Sequence, residues 1–347
     1  MKALLIDGPG KVRVGEFEQP PTDVEGRLRI AVQAVTVCGS DLHYFLEGGI
    51  GSAVVREPFV VGHEFSGIVD DPNGARFGLP EGTLVAVDPA ESCGGCEWCL
   101  AGSPNLCPNV EFAGSPPVPG AMREFFWAKP SNLFPLPKGF DAVDAALLEP
   151  LGVAIHAVDH AKIRLGCRVA VVGAGAIGMY LLQVARVAGA GEVHVLEPLE
   201  YRRRKALELG ADAVHSTPEE LLQATEGLGA EVVLEATDSA QGPEDACTVA
   251  RIGGRVVLVG IPEGDRFSLT ASQVRRKGLT IKLSRRMGHV YPRAIRLASS
   301  GRVNLRAVAT HQFTLDQAPL AFSLQAARKE EIIKSVIHIQ PQTPIDG

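Results

Sequence analysis

The chain has 347 residues, 46% of them hydrophobic, enough for about two domains with real cores at ~150 residues per domain, which excludes a small secreted scaffold dependent on disulfides. Thirty-four basic residues against forty acidic ones give a formal charge of −6, so a broad electropositive surface for nucleic acid is excluded too. The opening MKALLIDGPG has only a brief apolar run before Asp7, too short for the core of a secretory signal, and a cytoplasmic, reducing compartment is expected.

The first ~150 residues are rich in Gly and Pro and carry short β-type runs such as LRIAVQAVTV and TLVAVDP, the pattern of a β-rich domain. Within them Cys38 opens CGSDLHYF, and VVGHEFSG supplies His63 and Glu64. Taken singly, a turn and a solvated pair would explain these residues. Together they form a thiolate, an imidazole and a carboxylate, three good zinc ligands that leave a position open for exchange, which is the pattern of a catalytic zinc.

Next comes ESCGGCEWCLAGSPNLC, which holds four of the seven cysteines. In a reducing compartment Cys93, Cys96, Cys99 and Cys107 read as thiolates around one structural zinc. Two successive C-x-x-C steps let a tight turn aim its sulfurs inward, and four soft ligands leave no position for water. A redox dithiol is the alternative. Cys167 and Cys247 have no ligand-type neighbours and read as small buried residues. Glu149 interrupts the apolar AALLEPLGVAIHAV just before a proline. Such a carboxylate is expected to bind the catalytic metal or to stand beside it, with a helix-end charge as the alternative.

The longest uncharged stretch, Val169 to Ala185, is near the lower length of a membrane span, but its glycines suggest otherwise. Arg168 to Val172 is a buried strand pattern, Gly173, Gly175 and Gly178 form G-x-G-x-x-G, and a helical pattern starts at Ala176 and Ile177. This is a cradle for a dinucleotide pyrophosphate at a helix amino terminus. A second strand, EVHVLE, ends at Glu197, near the ~20-residue spacing at which an acid accepts the ribose hydroxyls, which favours NAD. Arg202 and its neighbours in YRRRK could instead accept the 2′-phosphate of NADP, or simply form a solvated helix face. Further strands, AEVVLEATDS and GGRVVLVGIP, continue a doubly wound parallel sheet. KSVIHIQ reads as a last strand, and the closing PQTPIDG as a frayed terminus.

The order and spacing of CGSDLHY, GHE, the four-cysteine loop, EPL and VVGAGAIG resemble the zinc-dependent medium-chain alcohol dehydrogenases over nearly the whole chain. The wording from Cys38 to Gly67 is most similar to the polyol branch, typified by sorbitol, xylitol and L-idonate dehydrogenases. The resemblance implies an α/β protein: a GroES-like β-rich catalytic domain, 1–152 completed by 288–347, and a Rossmann doubly wound parallel sheet domain, 153–287. It also implies one catalytic zinc, held by Cys38, His63 and Glu64 in the cleft, and one structural zinc per chain. Ser40 would be the proton-relay hydroxyl and His43 a relay end near the cofactor ribose. Glu149 would bind zinc or hold its water, Asp41 would steady the zinc histidine, and Tyr44 and Arg286 would contact substrate. The segment VDDPNGARFGLPEGTLVAVDP is shorter than the family's usual text.

The function expected is oxidation of a secondary alcohol of a polyol or sugar to a ketone with reduction of NAD, by a homotetramer or homodimer without membrane or nucleic-acid partners. A glucose-type sugar or L-threonine dehydrogenase would share every motif. A zinc- and NAD-binding sensor without activity is the reading from another class, and it needs no proton relay.

Overall fold

A computed structural model describes residues 1–21 and 24–340, so the closing PQTPIDG at 341–347 lies outside the described residues. The chain divides into two units, Met1–Glu149 with Ala309–Gly347, and Pro150–Val308.

The first unit is organised by the strand Leu28–Thr36. Its alternation buries Leu28, Ile30, Val32 and Ala34 in the core, as a period of two requires of a strand with one face covered. It pairs antiparallel with Glu64–Val69, with Lys334–His338 and with Phe125–Ala128, in a seven-stranded sheet that also takes in Leu84–Val87, Leu133–Pro135 and Ala309–Thr314. The register sets Thr36 opposite Glu64 and also opposite Val336. One strand end therefore lies between the GHE motif and the last strand.

The helix Gly39–Leu46 begins where that strand stops. Cys38 is still extended, at φ −86° and ψ 158°, and Asp41 Oδ2 accepts its backbone N–H at 2.9 Å. This satisfies a donor at the helix entrance with a side chain three residues on. The shortened segment after the GHE motif forms a short 3-10 helix, Pro72–Phe77, started by Asp71, whose Oδ1 accepts the Asn73 N–H at 2.9 Å. The flanking strands still pair, with Ser66 opposite Ala86.

The second unit is a six-stranded, wholly parallel sheet in the order Ala213–His215, Glu192–Leu196, Arg168–Val172, Ala230–Glu235, Ala250–Leu258, Thr280–Leu283. The strand order reverses at Arg168–Val172, the switch point beside which open α/β sheets bind ligands. The long uncharged stretch is a strand, a turn and the helix Ala176–Val187. Among the described residues no helix is long and apolar enough to cross a membrane.

The unit boundaries fall at 149/150 and 308/309, not at the 152/153 and 287/288 that the sequence suggested. The second shift has a local cause. Tyr180 Oη donates to the Leu305 carbonyl at 2.6 Å, and the Asn304 N–H donates to Gln183 Oε1 at 2.7 Å. Both bonds tie 304–305 to the helix Ala176–Val187.

Candidate functional site

In the first unit the ligand atoms of Cys38, His63 and Glu64 all lie within 4.8 Å of one another. His63 and Glu64 are buried, and Cys38 is half-buried. Asp41 underpins the group: Oδ2 takes the Cys38 N–H, Oδ1 takes the Gly62 N–H at 3.2 Å, and Oδ1 stands 3.5 Å from His63 Nδ1. That last distance is long for a hydrogen bond, and His63 Nδ1 is buried without a closer partner among the described residues. Burial disfavours a charged His63, but the Cys38 thiolate and the Asp41 carboxylate outweigh it and raise the imidazole well above its ordinary value. The pocket therefore has a field that favours positive charge, and thiol, imidazole and carboxylate are the donors that zinc prefers.

Glu64 has partners that sequence reasoning did not foresee. Lys334 Nζ donates to Glu64 Oε2 at 2.5 Å and to the Val37 carbonyl at 3.2 Å. Thr36 Oγ1 donates to the same Oε2. Both contacts to Glu64 fall on Oε2, so the carboxylate is held at one of its oxygens. Lys334 is 3% exposed and Glu64 1%. The signal in the sequence was a lysine at the head of the apolar alternation KSVIHIQ.

Glu149 is not one of the three mutually close donors. It sits buried in the helix Ala142–Ala161, and burial pushes its carboxyl up to about 8, with His63 and Lys334 pulling down and Glu64 and Asp88 pushing up. It shares the electrostatic environment of the cluster. Ser40 is half-buried in the first turn of Gly39–Leu46. His43 follows on that helix, with Nδ1 2.5 Å from Glu47 Oε1. Tyr44 is buried, with its hydroxyl 3.0 Å from Ser115 Oγ and its ring edge-on to Phe59. Phe112 tilts against the His63 ring at 5.2 Å between centroids. Ser115, Phe112, Thr36 and Lys334 were not singled out from the sequence. Arg286 lies in the second unit at φ +53°.

The four-cysteine loop closes on itself. The sulfurs of Cys96 and Cys99 are 3.4 Å apart, those of Cys93 and Cys107 3.5 Å, and those of Cys93 and Cys99 4.0 Å. Sulfurs on a tetrahedron with Zn–S near 2.3 Å would stand about 3.8 Å apart. None of the four is in a disulfide. Backbone N–H groups of Gly95 and Cys96 lower the pKa of the Cys93 thiol. Against the pull of the Cys99 N–H, burial and the neighbouring thiols raise that of Cys96, so the first negative charge of the cluster settles on Cys93. Gly94 sits at φ +72°, a left-handed turn that brings Cys93 and Cys96 to the same side.

In the second unit Gly173 takes φ +91°, Gly175 precedes the first residue of Ala176–Val187, and a Cβ on Gly178 would come within 1.9 Å of the Gly173 carbonyl. The third glycine is thus required by helix-to-strand packing. Ala176 and Ile177 form the helix amino terminus, with its free N–H groups. Glu197 is buried, accepting the Ala174 N–H on Oε2 at 2.8 Å and the Leu199 N–H on Oε1 at 3.0 Å. Arg202 Nη1 is 3.7 Å from Oε2 and lies over the Tyr201 ring. Arg203 is turned to the Glu197 and Pro198 carbonyls.

The sequence matches the family model of the alcohol dehydrogenase GroES-like domain over residues 24–138 and that of the zinc-binding dehydrogenases over 176–300. It is 32% identical to the sorbitol dehydrogenase of Bacillus subtilis, over 97% of each chain. Among solved structures, the L-idonate 5-dehydrogenase of Escherichia coli is 25% identical with a TM-score of 0.89, covering 97% of this chain and 98% of its own. An Escherichia coli protein described as a short chain alcohol dehydrogenase, in complex with NADH, is 28% identical with a TM-score of 0.87, covering 98% of this chain and 99% of its own.

Proposed function

Because the chain belongs to the zinc-dependent medium-chain alcohol dehydrogenases, in their polyol dehydrogenase branch, we propose that it oxidises a secondary hydroxyl of a polyol or sugar to a ketone with NAD as hydride acceptor. The observation that carries the proposal is the convergence of Cys38, His63 and Glu64 at the end of the strand Leu28–Thr36, in a pocket whose field favours a cation.

In this reading Cys38, His63 and Glu64 hold a catalytic zinc, and Cys93, Cys96, Cys99 and Cys107 hold a structural one. When bound, the catalytic ion supplies a Lewis acid that lowers the pKa of a hydroxyl, and the nicotinamide supplies the hydride acceptor. The remaining work is done by the chain's own residues. Asp41 fixes Cys38 and steadies His63. Lys334 and Thr36 hold Oε2 of Glu64. Ser40 takes the proton from the substrate hydroxyl, and His43, braced on Glu47, hands it toward solvent. Glu149 hydrogen-bonds the substrate hydroxyl or the water it replaces. Tyr44, oriented by Ser115, offers a phenolic hydroxyl to a second substrate oxygen, as a hydroxyl-rich ligand requires, and Arg286 contacts the substrate as well.

Gly173, Gly175, Ala176, Ile177 and Gly178 cradle the pyrophosphate, and Glu197 accepts the adenosine ribose hydroxyls, which supports NAD. Similar solved structures hold NADH in one case and NADP in another, which supports a nicotinamide dinucleotide and leaves the choice between the two to Glu197 and Arg202.

The test is reduction of NAD⁺ by the zinc-loaded protein, followed by absorbance, with polyols, aldoses, L-threonine and simple alcohols, repeated with NADP⁺. Turnover confined to polyols or sugars, and lost in His63→Ala, is the expected result. Full turnover in His63→Ala, or turnover with L-threonine alone, would overturn it.

A further inference from the structure

Three glycines of the second unit close on Thr237, and two of them, Gly242 and Gly260, also on the Glu235 carboxylate. A Cβ at Gly173 would stand 2.6 Å from Cγ2 of Thr237. One at Gly242 would stand 2.1 Å from Thr237 Oγ1 and 2.8 Å from Glu235 Oε1, and one at Gly260 would stand 2.0 Å from the Thr237 carbonyl oxygen. Gly242 and Gly260 are not among the glycines with positive φ. Lack of a side chain, and not conformational freedom, is what those two positions demand.

At the centre is Glu235, 1% exposed at the end of the strand Ala230–Glu235. Its Oε1 accepts both the N–H and the hydroxyl of Thr237 at 2.7 Å, and its Oε2 accepts the Gly260 N–H at 3.3 Å. Among the described residues none of its partners is a cation, and burial pushes its carboxyl pKa up. An acid kept in so dry a place is costly unless the fold or the function uses it.

Its location suggests the use. Glu197 directly follows the strand Glu192–Leu196 on one side of Arg168–Val172, and on the other side Glu235 ends the strand Ala230–Glu235 and Gly260 lies just beyond the carboxyl end of Ala250–Leu258. A dinucleotide laid across this switch point puts adenosine over the Glu197 side and nicotinamide over the opposite side. We infer that Glu235 is a positioning residue for the nicotinamide half of the cofactor: it holds Thr237, which stands against the first cradle glycine, and it holds Gly260 against Thr237. The inference rests on the dinucleotide reading given above.

The test uses the full-length, zinc-loaded protein and its Glu235→Gln and Thr237→Val variants. NADH and NADPH binding is measured by fluorescence of the reduced nicotinamide, AMP binding by calorimetry, and folding by thermal denaturation. With one or two charge-assisted hydrogen bonds weakened, the preferred reduced dinucleotide should bind on the order of tenfold more weakly to Glu235→Gln, and AMP within about twofold of the parent. A purely structural role would weaken both ligands together, and that result overturns the inference, as does unchanged dinucleotide binding. Should Glu235→Gln fail to fold, Thr237→Val keeps the shape and removes one hydroxyl, and the same comparison decides. A parent that binds neither NADH nor NADPH overturns the dinucleotide reading itself, and the inference with it.

Discussion

Lys334 Nζ lies 2.5 Å from Glu64 Oε2, joining the last strand of the first unit to the carboxylate beside His63, with both side chains almost wholly buried. Removing one partner of a buried ion pair strands the other charge, at a cost of about 3–5 kcal/mol. Lys334→Met is therefore expected to lower the thermal midpoint clearly, and more in zinc-stripped protein than in loaded protein, since the metal also offsets the Glu64 charge. Lys334→Arg should recover part of the loss. Thermal denaturation with and without zinc checks this, and a Met variant that melts with the parent in both states would refute it.

The four-thiol loop is expected to be ordered by metal. Binding of structural zinc contributes on the order of 10 kcal/mol in small zinc-finger peptides, and that energy goes into folding the loop. In loaded protein Cys93, Cys96, Cys99 and Cys107 should resist alkylation. Stripping the metal, or Cys107→Ser, should expose them and open 93–107 to proteolysis. Thiol counting by mass spectrometry reads the result, and rapid alkylation of the loaded protein would count against a metal there.

Glu197 accepts two backbone N–H groups and stands 3.7 Å from Arg202. A carboxylate at this place repels a 2′-phosphate, and the guanidinium would welcome one. Glu197→Ala is expected to move the ratio of kcat/KM for NAD over NADP toward NADP by on the order of tenfold, one ion-pair equivalent. Steady-state kinetics with both cofactors measures it. An unchanged ratio would mean that Glu197 only shapes the turn.

His194 and His215 stack 5.2 Å apart, with Nδ1 of one 3.0 Å from Nε2 of the other. One nitrogen must accept, so one ring stays neutral. Burial lowers both pKa values below the ordinary value, helped by Arg168 at His194 and by His194 at His215. The unfolded chain therefore binds more protons once pH drops to about 6.5, so the pair's contribution is complete above that pH and is lost as pH falls through the folded-state values. The parent's thermal midpoint should fall on acidification below about 6.5, and more steeply than that of His215→Asn. Parallel midpoint–pH curves would exclude the pair as a source of acid sensitivity.

Motifs whose parts are neighbours in the chain were legible before any coordinates. The thiols of 93–107, the glycines at 173, 175 and 178, and the acid ending the next strand are spaced by local geometry, so turn and helix rules suffice to find them. Cys38, His63 and Glu64 were legible as a set because each residue type is rare outside metal sites in such combinations. Which atoms surround them was not legible. The partnership of Glu64 with Thr36 and Lys334 depends on strand register, with Thr36 opposite Glu64 and the last strand on its other side. The pairing of Tyr44 with Ser115 depends on a loop far along the chain.

The same division holds for the second unit. Sequence alone determined that a glycine turn follows Val172, from backbone sterics, and that an acid stands at the end of the next strand, from its place in the apolar pattern. Only the tertiary structure decided that Gly173, Gly242 and Gly260 meet at Thr237, beside the Glu235 carboxylate, and that 304–305 is tied to the helix Ala176–Val187. Those contacts arise where parallel strands distant in sequence end side by side, and which ends become neighbours is settled by the packing of the whole sheet.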